Sequence, residues 1–189
     1  MLDYNVKIGL VPMRRNTTDR PRGTFLTWYS AEQRGKRFID YIENNFSNEQ
    51  VSFVDNRGIG INDLVFDDAT AEAVVERFKG EKVDAVMIIN CNFGNEEACG
   101  LVAKEMNLPV LLWGPQDMRF DEDGTRYTDC QCGLFAISKQ LRRYHVPFSY
   151  IDINPLPIPT PNSTVAGSLV HVFKALCHRL NLLLVDTST

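Results

Sequence analysis

A cluster of side chains suited to a polyhydroxylated ligand follows the apolar run VDAVMII, in residues 90–95, NCNFGN. Asn90 and Asn92 offer amide donors and acceptors that match hydroxyl groups, and Phe93 offers a flat apolar face. Cys91 precedes a predicted helix, where a thiolate would be stabilised. A second hypothesis is therefore that Cys91 is a catalytic nucleophile. No histidine is an evident base for it, and we favour Cys91 as a small buried hydrophobe.

Two other apolar runs also end in polar groups. Arg14 and Arg15 follow KIGLVPM, and a pair of positive charges there can steer an anionic or polyhydroxylated ligand. Trp113 and Gln116 close the run PVLLWGPQ, and the tryptophan ring offers a second apolar face. Ligands of open α/β sheets bind outside the carboxyl ends of strands, so we predict that these residues share one crevice.

The elements that must position these residues form a repeating pattern of apolar runs and amphipathic segments. It predicts strands at 6–11, 50–54, 83–89, 109–113 and 147–153, with helices from Ser30, over 71–78, from Glu96 and over 133–144. Pro12 is expected to end the first strand. Ser30 and Gln33 fit a capping box for the first helix, and Asn95 fits the cap of the third.

This alternation predicts an α/β fold, a flavodoxin/Rossmann-like doubly wound parallel five-stranded sheet with helices on both faces. We choose the strand order 2-1-3-4-5, whose switch point lies between strands one and three. Residues 1–153 form this domain in our division. Residues 154–163 are a Pro-rich linker, and 164–189 hold a helix plus the start of a further strand or the next domain.

Composition narrows the class of protein. The net charge of −4 argues against a nucleic-acid partner. No apolar run is long enough for a membrane span, and the first residues lack the features of a signal peptide. The five cysteines contain no CxxC pair, which fits reduced thiols in a cytoplasmic protein.

Motifs for common cofactors and metals are missing from the sequence. The glycines of GIG, Gly58 and Gly60, do not lie between a first strand and first helix as a dinucleotide fingerprint requires. There is no GxxxxGK[ST] and no HExxH. The acidic run near Asp121 is interpreted as a solvated loop rather than a metal site.

Two longer segments resemble the amino-terminal region of the L-fucose/L-arabinose isomerase family. They are VDAVMIINCNFGNEEACGLVAKEMNLPVLLWGPQD, from Val83, and DGTRYTDCQCGLFAISKQLRRYHVPFSYI, from Asp123. The similarity runs from KIGLVPMRR to the helix before Leu180. It rests on the order and spacing of segments rather than on one short catalytic signature.

The resemblance implies an aldose–ketose isomerase with a divalent metal, usually Mn²⁺, held by two carboxylates and a histidine in later domains. No position here matches those ligands, so we assign no catalytic or metal-binding residue and expect the isolated chain to be inactive. The resemblance also implies a homo-oligomer, trimer or hexamer, in which Arg14, Arg15 and the stretch Cys91 to Gly94 reach over a neighbour's sugar pocket. Fucose isomerases carry a tryptophan in the turn that here reads NCNFG, so the sugar stays open.

Two alternatives remain at this point. One is a stand-alone, non-catalytic sugar- or anion-binding module of flavodoxin-like fold, which the sequence downstream of Thr189 would distinguish from a truncated isomerase. The other is a flavodoxin-like redox protein, for which Thr17 and Thr18 would have to cradle a phosphate beside two arginines.

Overall fold

The computed structural model describes residues 5–17, 26–117, 120, 122–124 and 126–151. Within them the chain alternates strands and helices. The strands are β1 (Val6–Met13), β2 (Val51–Val54), β3 (Ala85–Asn90), β4 (Val110–Trp113) and β5 (Phe148–Tyr150). The helices are α1 (Trp28–Phe46), α2 (Asp68–Glu81), α3 (Glu96–Met106) and α4 (Cys130–Arg143).

The five strands form one parallel sheet in the order β2-β1-β3-β4-β5, as predicted from the sequence. Register places Met13 opposite Asn90 and Ile89 opposite Trp113, so β1, β3 and β4 end side by side. The predicted linker and the terminal helix and strand, residues 154–189, lie outside the described residues.

Apolar side chains cover both faces of the sheet, as strands of a doubly covered parallel sheet require. On one face the stripe Phe38, Ile39 and Ile42 of α1 packs against β1, β2 and β3. On the other face α2, α3 and α4 pack through residues such as Phe78 and Val102. The buried strand β3 lies between the two layers.

The start of α1 and the end of β1 differ from the predicted boundaries. α1 begins at Trp28 rather than Ser30, because the hydroxyl of Thr27 accepts a hydrogen bond from the Ser30 N–H at 3.1 Å and is the actual cap. β1 continues through Pro12 to Met13, although proline has no N–H. The missing donor is tolerated because β2 has already ended at Val54, opposite Gly9.

Helices α2 and α4 begin three residues earlier than predicted. Asp67 caps α2 and forms a reciprocal capping box with Thr70, a signal that the apolar periodicity alone did not show. α4 begins at Cys130, where Asp117 from a distant loop binds the first amide. Asn95 caps α3 as predicted, accepting hydrogen bonds from the amides of Glu97 and Ala98.

Candidate functional site

The carboxyl ends of β1, β3 and β4 form one edge, and the residues that follow them meet there. Arg14 follows β1, the segment Cys91–Asn95 follows β3, and residues 114–117 follow β4. We call Cys91–Asn95 the β3 turn. The edge lies at the point where strand order reverses, between β1 and β3, which is where ligands bind in this architecture.

The two arginines after β1 have opposite environments. Arg14 is fully buried, and its Nη2 donates to the carbonyl oxygens of Thr17 and Leu26, both at 2.9 Å. Its guanidinium lies 3.6 Å above the Trp28 ring. Arg15 is exposed, and its guanidinium lies 4.7 Å from the centre of the Phe93 ring. Arg14 therefore holds Thr17 and Leu26 together, while Arg15 presents its charge to solvent.

The asparagines of the site are fully buried and use their amide donors within the protein. Asn90 Nδ2 donates to the carbonyl of Cys130 at 3.0 Å, and Asn92 Nδ2 donates to the carbonyl of Thr27 at 3.1 Å. A carbonyl can only accept, so these bonds fix which side-chain atom is nitrogen. The Oδ1 atoms of Asn90 and Asn92 are acceptors without a partner among the described residues.

Asn90 sits between two glycines that come unusually close to it. A Cβ on Gly94, whose φ is +102°, would overlap Asn90 Oδ1. A Cβ on Gly133 would overlap the carbonyl oxygen of Phe93. Only glycine allows the β3 turn and the start of α4 to approach this closely.

Cys91 is completely buried, and burial raises the pKa of its thiol to about 12. A backbone hydrogen bond at Met13 and the charge of Arg34 act in the opposite direction but are smaller. The stabilised thiolate considered from the sequence is therefore not formed, since burial outweighs the helix terminus. Burial also raises the thiol pKa of Cys99 and Cys130.

The aromatic residues and Gln116 lie at different depths. Phe93 is 9% exposed, whereas Trp113 is 2% exposed, and its ring packs 4.9 Å from that of Phe38 in the core. Trp113 is thus covered in this structure rather than presented as a flat surface. Gln116 is half-buried, with a side-chain oxygen that has no partner among the described residues.

Asp117 and Asp129 attach the start of α4 to this edge. Asp117 Oδ1 accepts from the Cys130 amide at 2.6 Å, a favourable place for a carboxylate at a helix N-terminus. The Asp129 amide donates to the carbonyl of Asn92 at 2.6 Å. The β3 turn is therefore held by α1 on one side and α4 on the other.

Arg34 is a site residue that the sequence interpretation did not identify. It lies on α1, and its guanidinium donates to the carbonyl oxygens of Cys91 and Gln116. The available signal was its position four residues before Phe38, on the inward stripe of the helix, where a charged residue is unusual.

A cavity of about 120 Å³ lies on the other side of α1, against the loop that follows β2. Each of its charged lining residues already has a partner. Lys36 pairs with Asp40 at 3.4 Å, and Arg57 pairs with Glu43, outside the lining, at 2.9 Å. Glu32 accepts a hydrogen bond from Asn62 at 3.1 Å, and Asp63 accepts one from the Gly58 amide at 2.7 Å. The cavity therefore presents no charge that calls for a ligand.

In the part of the chain that the structure describes, no three His, Cys, Asp or Glu side chains come together as metal ligands. These residues thus do not fit the Mn²⁺ that the resemblance implies. None of the described helices is long and apolar enough to cross a membrane.

The parallel sheet and the polar residues at the carboxyl ends of β1, β3 and β4 define a flavodoxin-like α/β domain. Its polar crevice lies at the switch point between β1 and β3. A family model described as fucose/sulfoquinovose isomerase, N-terminal domain, matches residues 19–181. The chain belongs to this family.

Two further comparisons add little. The crystal structure of the transcription regulator CcpA of Lactococcus lactis is 11% identical, covering 96% of this chain and 76% of that chain, with a TM-score of 0.31. A likeness at this level carries no argument about this chain. A search of the curated proteins gives no match.

Proposed function

We propose that this chain is the amino-terminal domain of an aldose–ketose isomerase and that it supplies one wall of the sugar pocket. Membership of the fucose/sulfoquinovose isomerase N-terminal family carries this proposal. The catalytic groups and the divalent metal, which we expect to be Mn²⁺, belong outside this chain. A cytoplasmic homo-oligomer, trimer or hexamer, completes the pocket with a neighbouring subunit.

The proposed wall contains the eight residues predicted from the sequence, and burial divides their roles. Arg15, exposed and stacked on Phe93, contacts the sugar directly. The other six residues pack beneath Arg15 and Phe93 or line the edge: Arg14, Asn90, Cys91, Asn92, Trp113 and Gln116. A guanidinium beside an aromatic ring suits a ligand that carries both hydroxyl groups and apolar C–H surface.

The chemistry of a ketol isomerase explains the division of labour. Moving a proton between C1 and C2 needs a positioned acid/base group, and the developing charge on the oxygens needs stabilisation. At this edge the Asp117 carboxylate is already bound to amides of α4. This chain would therefore contribute binding and orientation of the sugar, not the proton transfer.

The charge of the proposed wall bears on which sugar the protein accepts. The family description names fucose, a neutral sugar, and sulfoquinovose, whose sulfonate is an anion. The exposed charge of Arg15 would favour the anionic sugar, because a guanidinium binds such oxyanions through paired donors.

The test is an isomerase assay of the 189-residue chain and of the full-length protein that the proposal implies. Both are incubated with Mn²⁺ and, separately, L-fucose, L-arabinose or sulfoquinovose, and ketose formation is followed. We expect turnover only in the full-length protein. Arg15→Ala should raise its KM about tenfold or more, since one charge-assisted contact is lost.

Arg37→Ala is the matched control, because Arg37 is an exposed arginine of α1 outside the proposed wall. Turnover by the 189-residue chain alone would refute the placement of the catalytic groups elsewhere. Sugar binding by this chain, with no downstream coding region, would instead favour the stand-alone binding module.

A further inference from the structure

Arg34, on the second turn of α1, contacts three segments near the edge: the β3 turn, the residues that follow β4, and the start of α4. Its Nε donates to the carbonyl oxygen of Cys91 at 2.6 Å, and its Nη2 donates to the carbonyl oxygen of Gln116 at 3.0 Å. Nη2 also lies 3.6 Å from Sγ of Cys130. One guanidinium thus joins the β3 turn, the end of β4 and the start of α4.

This arrangement needs a guanidinium rather than any positive charge. Nε and Nη2 are two donors in one rigid plane, so the two carbonyl oxygens they bind are held at a fixed separation. The plane itself is supported by the Phe38 ring, whose centre lies 5.1 Å from the guanidinium carbon. A lysine ammonium would supply charge but no fork of fixed geometry.

The partners of Arg34 indicate a positioning role rather than a charge-pairing role. Both oxygens that accept are backbone carbonyls of segments in the proposed sugar wall. The ion pairs found among the described residues do not include Arg34. Without this side chain, no single group would bond to both the Cys91 and the Gln116 carbonyl oxygens, and this link between the two segments would be lost.

We propose that Arg34 is a positioning residue that fixes the β3 turn relative to the end of β4, and thereby presets the shape of the sugar wall. The effect on sugar binding rests on the proposed function. The effect on the turn is independent of it, and the two are measured separately.

The first measurement is amide hydrogen exchange on the 189-residue chain and its variants Arg34→Gln, Arg34→Lys and Arg37→Gln. The reporting amides are Cys91, bonded to the Met13 carbonyl at 3.1 Å, and Asp129, bonded to the Asn92 carbonyl at 2.6 Å. The Val86 amide, bonded to the Pro109 carbonyl at 3.0 Å near the opposite edge of the sheet, is the internal reference.

In Arg34→Gln we expect the two reporting amides to exchange about tenfold faster while the Val86 amide is unchanged, because only the local opening free energy falls. Arg34→Lys should be intermediate, and Arg37→Gln should match the wild type. Unchanged exchange at the reporting amides, or an equal increase at Val86, would overturn the positioning role.

The second measurement is steady-state kinetics of the full-length protein. Arg34→Gln should raise KM for the accepted sugar about tenfold with a smaller change in kcat, and Arg34→Lys should recover part of the loss. An unchanged KM would overturn the effect on the sugar wall. If the wild-type protein turns over none of the sugars, the proposed function fails, while the exchange experiment still decides the role of Arg34.

Discussion

The β3 turn and the loop that follows β2 leave the same edge of the sheet, yet they are held by different means. The β3 turn is mostly buried, and its hydrogen bonds involve backbone groups: Asn92 bonds to the Thr27 carbonyl and the Asp129 amide, and the Cys91 carbonyl accepts from Arg34. The loop of residues 55–67, here the β2 loop, exposes Arg57 and Asn62 and uses side-chain charge. Arg57, for example, pairs with Asp55 and with Glu43.

This difference predicts unequal tolerance to substitution. A buried turn bound through backbone groups cannot replace a lost contact with water, whereas an exposed charged loop can. The β3 turn should therefore keep one geometry, which suits a wall that must fit a sugar. The exposed polar positions of the β2 loop should vary at little cost in stability.

The largest expected effect concerns the close approach of α4 to the β3 turn. Gly133→Ala places a Cβ in overlap with the Phe93 carbonyl oxygen, so the turn or the helix must move. We expect a loss of about 3 kcal/mol or more in the free energy of unfolding, measured by urea denaturation. Gly80→Ala is the control, because an added Cβ on this helical glycine meets nothing within 4 Å. Gly80→Ala should be neutral or stabilising. If Gly133→Ala unfolds at the same urea concentration as the wild type, α4 and the β3 turn do not approach each other this closely.

A smaller loss of stability should distinguish the β3 turn from the β2 loop, because each contains an asparagine whose hydrogen bond can be removed by substitution. Asn92→Ala removes a buried donor from the Thr27 carbonyl and should cost about 1–3 kcal/mol. Asn62→Gly removes an exposed contact between the β2 loop and Glu32 of α1, suits the left-handed backbone of this position, where φ is +56°, and should stay within about 0.5 kcal/mol. Thermal unfolding of both variants measures the difference, and equal losses would contradict the comparison.

The buried thiols around the β3 turn predict a dependence on alkaline pH. The pKa of Cys91 is raised to about 12 in the folded chain, so the unfolded chain loses its proton first as pH rises. Stability should therefore fall above about pH 9, by about 1 kcal/mol per pH unit for this thiol. Urea denaturation at pH 8, 9 and 10 measures the slope, and Cys91→Ala should make it shallower. An unchanged slope in Cys91→Ala would mean that this thiol is ionised in the folded state.

The smallest effect is expected in the β2 loop. Arg57→Gln breaks the exposed pairs with Asp55 and Glu43 and should cost less than about 1 kcal/mol. The loss should shrink in 1 M salt, because exposed charges are screened there. Parallel melts at low and high salt measure this, with Arg37→Gln as a surface control. A large, salt-independent loss would place the β2 loop in the same class as the β3 turn.

Much of the fold could be predicted because each element carries its own signal. Apolar runs gave the strands, and the alternation with helices gave the parallel order β2-β1-β3-β4-β5. Boundaries were less accurate where the deciding contact is distant. The start of α4 at Cys130 depends on Asp117, 13 residues earlier, which periodicity does not report.

The sequence predicted which residues lie at this edge of the sheet, but not how their side chains are oriented. The sequence placed Arg14, Arg15 and the β3 turn at one edge, because parallel strands end on the same side. It could not show that Arg14 is buried against Trp28 while Arg15 points to solvent, or that Arg34 joins the segments that follow β3 and β4. These outcomes depend on which neighbours compete for each side chain.

The sequence by itself determined the family, the strand order and the edge at which polar residues gather. These follow from local periodicity and from the order of segments along the chain. Only the tertiary structure decided which polar groups remain available. Asn92 finds its acceptor 65 residues away in Thr27, and Cys91 keeps its proton because two packed layers exclude water. The physical reason is burial, which is a property of the assembled layers rather than of any single segment.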